Sequence, residues 1–239
     1  MKMPDSSSMT KSPIAIVTGA ASGIGAAIAS ELKTRGWLVA GFDLRPATSD
    51  CDVVLDMSDY QAVAKGVDLV RQSLGQINAA VSAAGYYEMI PAAEITEEQW
   101  NRMLHVHLGG AFNLAQAVIP DMVEMKSGAF VGVTSELAIG GGSEDVHYAA
   151  AKGAIIGLIR SLATEVSGSG VRVNGVAPGP TDTPLLAADS PWRAPEYLAT
   201  LPSRRLAKPE EIAYVVGYLI EEATFTSGEI ISPNSGAVI

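Results

Sequence analysis

The chain has 239 residues, of which 48% are hydrophobic and 18% are charged, and this composition predicts a globular fold with a large buried core. Its formal net charge of −10 at pH 7 argues against nucleic-acid and membrane partners, because both bind basic surfaces. The single cysteine, Cys51, excludes an intramolecular disulfide, and three histidines without ligand spacing predict no metal site.

Residues 1–12 are polar and lack the apolar segment of a signal peptide. We expect them to form a flexible tail and residues 13–239 to form the folded domain. No part of the sequence approaches the roughly 18 consecutive apolar residues that a membrane helix needs. Together with the lone cysteine, these features predict a cytoplasmic protein.

A glycine-rich turn follows the first predicted strand. Residues 14–17 are a short apolar run, typical of a strand buried on both faces, and residues 18–25 read Thr-Gly-Ala-Ala-Ser-Gly-Ile-Gly. Residues 26–35 then read as a helix. Strand, glycine turn and helix in this order form a phosphate cradle, because the helix N-terminus presents free N–H groups. The predicted cofactor contacts in the turn are Gly19, Ser22, Gly23, Ile24 and Gly25.

An acidic residue ends the second predicted strand, residues 37–42. Asp43 lies 18 residues after Gly25, where a carboxylate accepts hydrogen bonds from the adenosine ribose hydroxyls. The same carboxylate repels a 2′-phosphate, so Asp43 favours NAD over NADP. Arg45 follows two residues later and could soften that exclusion. The alternative interpretation is that Asp43 only caps a turn.

The next segments predict two strands, each followed by a helix. Residues 52–56 form the third strand, and we expect Asp56 and Met57 to border the adenine. Residues 58–74 have helical spacing, with Ser58 as the predicted N-cap.

The fourth strand spans residues 77–82, and small residues after it, Ala84 and Gly85, let the backbone approach a flat ligand. A capping box then opens a long helix that is predicted to run from residue 96 to residue 120.

The fifth predicted strand, residues 129–134, ends at Ser135, and a helix follows over residues 149–166. Tyr148 and Lys152 are four residues apart, so they lie one turn apart on the same helix face. A lysine ammonium at that position favours the phenolate and lowers the tyrosine pKa from about 10 towards the working range. Ser135 would bond the substrate oxygen that Tyr148 protonates. The alternative is a surface Tyr and Lys on an amphipathic helix.

The last third of the chain predicts a sixth strand over residues 171–177 and a proline-rich turn over residues 178–183. The proline-broken apolar segment 184–208 is typical of a mobile substrate lid. A helix over residues 209–221 and a strand over residues 228–232 complete the pattern.

Alternation of strand and helix from end to end predicts a single-domain, Rossmann-type, doubly wound sheet of about seven mainly parallel strands with helices on both faces. Ligands of such sheets bind at the carboxyl ends of the strands. Five of the residues discussed above follow strand ends, so we expect them to converge on one edge: Gly19, Asp43, Gly85, Ser135 and Gly179. That convergence favours a catalytic role for Tyr148.

With these residues in place, the chain resembles the short-chain dehydrogenase/reductase family from residue 14 to about residue 236. The matching motifs are Thr18-Gly19-x3-Gly23-Ile24-Gly25, Ser135, Tyr148-x3-Lys152 and Pro178-Gly179-x3-Thr183. The resemblance implies that Tyr148 is the general acid/base and that Ser135 polarises the carbonyl or carbinol oxygen. Lys152 would hold the nicotinamide ribose and lower the tyrosine pKa. The implied cofactor contacts after the sixth strand are Pro178, Gly179, Thr181 and Thr183.

Family members are usually tetramers and sometimes dimers, so the resemblance implies a homotetramer or homodimer.

Three positions depart from the family pattern. The usual Asn-Asn-Ala-Gly is Ser-Ala-Ala-Gly at residues 82–85, and the fourth catalytic position, usually asparagine, is His107. In the family that side chain helps to hold a water that continues the proton path from the catalytic lysine. A neutral imidazole could hold such a water too, although it titrates near pH 6.5. The alternative is that His107 only packs within its helix.

These features predict an NAD(H)-dependent oxidoreductase that interconverts a secondary alcohol and a ketone, with Tyr148 as general acid/base. The predicted substrate contacts are Glu136, Glu144, His147, Leu185 and Trp192. The two glutamates would disfavour a carboxylate beside the reacting carbon, and they suggest a neutral polyol, a sugar-like or cyclic alcohol, or an amine-bearing alcohol. Each glutamate could instead point to solvent.

Two other functions are compatible with the pattern. A 3-oxoacyl carrier-protein reductase is a common activity in the family, but such enzymes generally use NADPH and dock an acidic carrier protein. Asp43 and the net charge of −10 both argue against it. A non-catalytic dinucleotide-binding protein is the remote alternative, which only the change from asparagine to His107 favours.

Overall fold

The computed structural model describes residues 12–238, so residues 1–11 of the predicted tail lie outside the described part of the chain. Within that part, seven strands form one sheet: β1 Ile14–Thr18, β2 Leu38–Asp43, β3 Cys51–Val54, β4 Ala79–Ser82, β5 Gly128–Val133, β6 Val171–Val176 and β7 Ile230–Ile231. Every neighbouring pair is parallel, and the order across the sheet is β3-β2-β1-β4-β5-β6-β7. The predicted doubly wound parallel sheet is confirmed.

The described α-helices are α1 Gly23–Thr34, α2 Tyr60–Ser73, α3 Glu97–Leu104, α4 Gly110–Met125, α5 Leu137–Gly140, α6 Val146–Val166, α7 Pro195–Thr200 and α8 Pro209–Glu221. Side chains of α2, α4 and α6 pack on one face of the sheet, and those of α1 and α8 pack on the other. The central strands are therefore buried on both sides, which explains why they read as continuous apolar runs. None of these helices is long and apolar enough to cross a membrane.

The long helix predicted from residue 96 to residue 120 is interrupted. A π-helical turn, His105–Gly109, joins α3 to α4, and α4 continues past Pro120 to Met125. A π turn inserts one extra residue and changes which side chains face inward, and such turns are frequent at functional sites. Its consequence here is that His107 is buried, with 2% of its surface exposed.

The N-cap of α2 differs from the predicted one. Asp59, not Ser58, caps the helix, and its Oδ1 accepts from the Ala62 N–H at 3.0 Å. The Ser58 hydroxyl instead donates to Asp56 Oδ1 at 2.8 Å, so Ser58 belongs to the preceding turn. Serine and aspartate are both good N-cap residues, so the sequence alone does not choose between Ser58 and Asp59. The preceding turn engages the Ser58 side chain, which leaves Asp59 to cap the helix.

The predicted lid contains more regular structure than its prolines indicate. A 3-10 turn, Pro191–Arg193, precedes α7. The Arg193 guanidinium ties the segment to the end of β6, since it donates to Asp182 Oδ1 at 2.7 Å and to the Thr183 carbonyl at 3.2 Å. The opening of this lid stays a prediction.

Candidate active site

A cavity of about 630 Å³ lies at the carboxyl ends of the central strands. Ser135 and His107 line it, and so does every residue predicted to contact a cofactor: Gly19, Ser22, Gly23, Ile24, Gly25, Asp43, Asp56, Met57, Ala84, Gly85, Tyr148, Lys152, Pro178, Gly179, Thr181 and Thr183. Residues that are far apart in the sequence are thus brought to one edge of the sheet, as the parallel topology requires.

The glycine turn between β1 and α1 has the geometry of an anion cradle. Gly19 and Gly23 have positive φ angles, +70° and +55°, which side-chain-bearing residues rarely adopt. A Cβ at Gly25 would clash with the carbonyl oxygen of Gly19, so the first turn of α1 can pack this closely only with glycine. Ser22, the N-cap residue, makes no side-chain capping bond. The free N–H groups of the first turn therefore remain available to a phosphate group.

Asp43, the last residue of β2, has a fixed carboxylate beside this turn. Its Oδ2 accepts from the Ala21 N–H at 3.0 Å, and its Oδ1 accepts from the Arg45 N–H at 3.1 Å. Each oxygen keeps a lone pair for a ligand hydroxyl. The Arg45 side chain also lines the cavity, so both charges considered in the sequence analysis lie at this end.

Ser135, Tyr148 and Lys152 meet at the other end of the cavity. Tyr148 is buried, with 8% of its surface exposed, and the Ser135 hydroxyl lies near enough to its phenol to influence it. Lys152 Nζ lies 5.7 Å from the centre of the Tyr148 ring and donates to the Val133 carbonyl at 2.9 Å. The Thr134 hydroxyl donates to the Lys152 carbonyl at 2.8 Å, which fastens α6 to the end of β5.

Burial dominates the electrostatics of this group. It raises the pKa of the Tyr148 phenol above its ordinary value, and the nearby Ser135 hydroxyl opposes that rise. It lowers the pKa of Lys152 to about 7. The predicted lowering of the tyrosine pKa by its lysine neighbour is therefore not present in the protein alone, because desolvation disfavours both charged forms.

His107 lies between this group and the loop after β4. Its ring makes an edge-to-face contact with the Tyr148 ring at 5.4 Å, and a Cβ at Gly85 would clash with it. Its Nε2 lies 2.9 Å from the Tyr86 carbonyl oxygen and 3.3 Å from the Tyr86 nitrogen, and the shorter contact favours a ring proton on Nε2, which leaves Nδ1 as an acceptor. Nδ1 is buried and has no hydrogen-bond partner among the described residues. Burial and the Lys152 charge hold the His107 pKa well below its ordinary value.

The structure separates the predicted substrate contacts into two groups. Glu136, Leu185 and Trp192 line the cavity, whereas Glu144 and His147 do not. Glu144 is exposed in the turn before α6. His147 is fully buried, with Nε2 3.9 Å from Glu88 Oε2. Neighbouring positions on a helix point about 100° apart, so His147 cannot share the inward direction of the tyrosine that follows it.

Tyr87 is one cavity residue that the sequence analysis missed. Its ring makes an edge-to-face contact with Tyr148 at 4.9 Å, and its hydroxyl accepts from Trp192 Nε1 at 3.2 Å. The only signal for it was its position shortly after the fourth strand. Further missed lining residues are Arg102, Val106 and Leu137, whereas Pro184 and Leu186 belong to the predicted lid.

Comparison with known proteins gives matches over nearly the whole chain. The family model described as "Enoyl-(Acyl carrier protein) reductase" matches residues 19–237. A 3-oxoacyl-acyl-carrier-protein reductase FabG of Thermotoga maritima is 33% identical over 95% of this chain and 98% of its own length. A D-threitol dehydrogenase of Mycolicibacterium smegmatis is 35% identical over 88% of this chain and 86% of its own length.

Among solved structures, the ligand-free aldohexose dehydrogenase AldT of Thermoplasma acidophilum superposes with a TM-score of 0.88 at 27% sequence identity, covering 95% of this chain and 94% of that one. The fold, the motif order and these matches agree with one another and confirm the resemblance drawn from the sequence. The chain is an oxidoreductase-type member of the short-chain dehydrogenase/reductase family.

Proposed function

We propose that the protein is an NAD(H)-dependent enzyme that interconverts a secondary alcohol and a ketone. The observation that carries this proposal is the meeting of Ser135, Tyr148 and Lys152 in one cavity with the glycine turn and Asp43. One end of that cavity suits a dinucleotide, and the other presents a hydroxyl, a phenol and an amine to a small molecule.

The residues of this cavity fit a nicotinamide dinucleotide. The first turn of α1 would hold the pyrophosphate, Asp43 the adenosine ribose, and Lys152 the nicotinamide ribose. When bound, the dinucleotide supplies the acceptor or donor of a hydride at nicotinamide C4. Thr183, which lines the same cavity after β6, would contact the carboxamide.

The chain's own residues would position the substrate oxygen and move its proton. Ser135 donates a hydrogen bond to that oxygen, and Tyr148 accepts the hydroxyl proton during oxidation and returns it during reduction. A positive charge near the phenol, from Lys152 or an oxidised nicotinamide, offsets the desolvation that raises the tyrosine pKa. The aromatic rings around Tyr148 exclude water from the reacting atoms.

For the substrate, we propose a neutral polyol or a sugar-like or cyclic alcohol. The carboxyl group of Glu136 lines the cavity beside Tyr148, and its Oε2 is buried without a hydrogen-bond partner among the described residues, so it is available to a neutral hydroxyl of the substrate. Relatives of this chain include proteins named D-threitol dehydrogenase and aldohexose dehydrogenase, both of which are named for polyhydroxylated compounds.

A second candidate is reduction of a 3-oxoacyl thioester with NADPH. Two observations favour it: the T. maritima relative bears that name, and Arg45 lines the cavity where a 2′-phosphate would lie. Faster oxidation of NADPH than of NADH with acetoacetyl-CoA would select this candidate. Asp43 beside the glycine turn favours the first.

Replacing Asp43 by alanine should remove the preference for NADH over NADPH. The Asp43 carboxylate repels the 2′-phosphate of NADPH. Without it, we expect the dissociation constant for NADPH divided by that for NADH to fall about tenfold or more. Nicotinamide fluorescence during titration measures both constants. Glu165→Ala, which removes an exposed carboxylate from the far end of α6, is the control. An unchanged ratio in Asp43→Ala would show that the ribose is held elsewhere.

We also propose that His107 holds a water on the proton path from Lys152, because its Nδ1 is a buried acceptor near that amine. His107→Leu should lower kcat by about tenfold and change the pH–rate profile, because the water on the proton path loses its acceptor. His107→Asn should restore most of the rate, since an amide also holds a water. A profile that His107→Leu leaves unmoved would assign His107 to packing alone.

The family resemblance leads us to propose a cytoplasmic homotetramer or homodimer. The lone Cys51 suits a reducing compartment. Light scattering of the purified protein tests the oligomeric state.

A further inference from the structure

The side chain of Glu136 is placed beside the reacting centre by a rigid backbone. Glu136 directly follows Ser135, and its N–H donates to the Pro178 carbonyl at 3.1 Å. Its own carbonyl accepts from the Ile139 and Gly140 N–H groups, both at 2.8 Å, at the start of α5. The backbone of Glu136, and with it the direction in which its side chain leaves the chain, is therefore fixed by the same loop that holds the catalytic serine.

The carboxyl group is buried without a protein partner. Glu136 is 6% exposed and lines the cavity, and its Oε2 has no hydrogen-bond partner among the described residues. The group occupies space beside Gly179, where an added Cβ would lie 2.6 Å from Oε2. An unsatisfied buried carboxyl destabilises the protein, so its presence points to a ligand that satisfies it.

The nearby cations are engaged elsewhere. Lys152 Nζ donates to the Val133 carbonyl, Arg193 is bound to Asp182, and the guanidinium of Arg102 lies 4.9 Å from the centre of the Tyr86 ring. Glu136 is thus not half of an ion pair among the described residues.

Burial raises the pKa of Glu136 to about 8, so the carboxyl group is mainly protonated at neutral pH. A protonated carboxyl both donates and accepts a hydrogen bond, which matches a hydroxyl group. A cationic amine would instead require the ionised form, and a carboxylate would meet repulsion from that form.

We infer that Glu136 is a specificity-determining residue that binds a second hydroxyl, on the carbon next to the reacting carbinol. The substrate is then a vicinal diol and the product an α-hydroxyketone. The inference rests on the proposed function. The hydride passes to nicotinamide C4 and the proton of the reacting hydroxyl passes to Tyr148. Glu136 only hydrogen-bonds the second hydroxyl, so its protonation state is the same before and after the reaction. Glu136 lines the cavity together with Ser135 and Tyr148, and its charge acts on the Tyr148 phenol, so the hydroxyl within its reach is one close to the reacting carbon.

The test compares kcat/KM for cis-1,2-cyclohexanediol and for cyclohexanol, with NAD as the acceptor. The wild-type protein should prefer the diol by about tenfold or more, because a site built to bind a hydroxyl rejects the analogue that lacks it. Glu136→Leu should lose this preference. Glu136→Gln should keep most of it, since an amide also donates and accepts.

Three results would overturn the inference alone while cyclohexanol is still oxidised: a wild-type protein without diol preference, an unchanged preference in Glu136→Leu, or a stronger preference for trans-2-aminocyclohexanol than for the diol. The first needs no variant, so it applies even if Glu136→Leu fails to fold. Oxidation of no alcohol at all would overturn the proposed function, and the inference with it.

Discussion

Tyr148→Phe should lower kcat for alcohol oxidation by about a thousandfold, while the protein continues to bind NADH. The expected loss follows from the removal of the only atom that exchanges a proton with the substrate oxygen, and general acid–base catalysis contributes about 10²- to 10⁴-fold. The phenyl ring keeps the edge-to-face contacts with Tyr87 and His107, so the surrounding packing should remain.

Steady-state rates and an NADH fluorescence titration, made on the same preparation, measure the two halves of this prediction. Tyr60→Phe is a matched control, because that tyrosine is about half exposed on α2. Residual turnover of Tyr148→Phe within tenfold of wild type would remove the phenol from the acid–base role.

Lys152→Met should abolish most turnover and at the same time stabilise the folded protein by about 2 kcal/mol at pH 7, because removing the buried ammonium contributes about 4 kcal/mol and leaving the Val133 carbonyl without its donor costs roughly 2 kcal/mol. Lys152 is 4% exposed, and burial lowers its pKa from 10.5 to about 7. Below pH 7 the folded protein carries the full cost of burying the ammonium, and at pH 7 it still carries most of that cost. Between pH 7 and pH 10.5 the unfolded chain binds a proton that the folded protein has released, so wild-type stability rises with pH.

The advantage of Lys152→Met should therefore shrink as the pH is raised. Urea unfolding at pH 7 and at pH 9.5 measures this change, and Lys65→Met, an exposed position on α2, is the control. A variant that is less stable than wild type at pH 7, or an advantage that grows with pH, would contradict the account. The expected result would show that the site retains a lysine at the expense of stability.

The sheet and the phosphate cradle were predictable because their signals are local. A buried parallel strand needs an apolar run, and a tight turn before a helix needs glycine, whatever the rest of the chain does. The parallel topology then brings the strand ends to one edge, which places Asp43 and Ser135 in the same cavity.

The parts that the sequence could not predict depend on the packing of distant residues. The π turn that buries His107 adds one residue to a helix whose apolar pattern shows no break. Glu136 and Glu144 both follow the fifth strand, yet only the first is buried, because its side chain packs against Gly179 in the loop after β6. The Tyr148 pKa could not be predicted for the same reason. The sequence shows that Lys152 is four residues from Tyr148, but it does not show that both side chains are buried, and burial is the largest influence on both pKa values.

Transfer of a labelled hydride tests the central claim most directly. The protein would be incubated with NAD, and in a parallel reaction with NADP, together with a cis-1,2-cyclohexanediol that carries deuterium at its carbinol carbons. The reduced dinucleotide would be analysed by mass spectrometry. We expect deuterium at nicotinamide C4 and a ketone product, with neither formed by Tyr148→Phe. Absence of labelled NADH and NADPH with this diol and with other neutral secondary alcohols, at protein concentrations that bind the dinucleotide, would contradict the assignment of this cavity to alcohol oxidation.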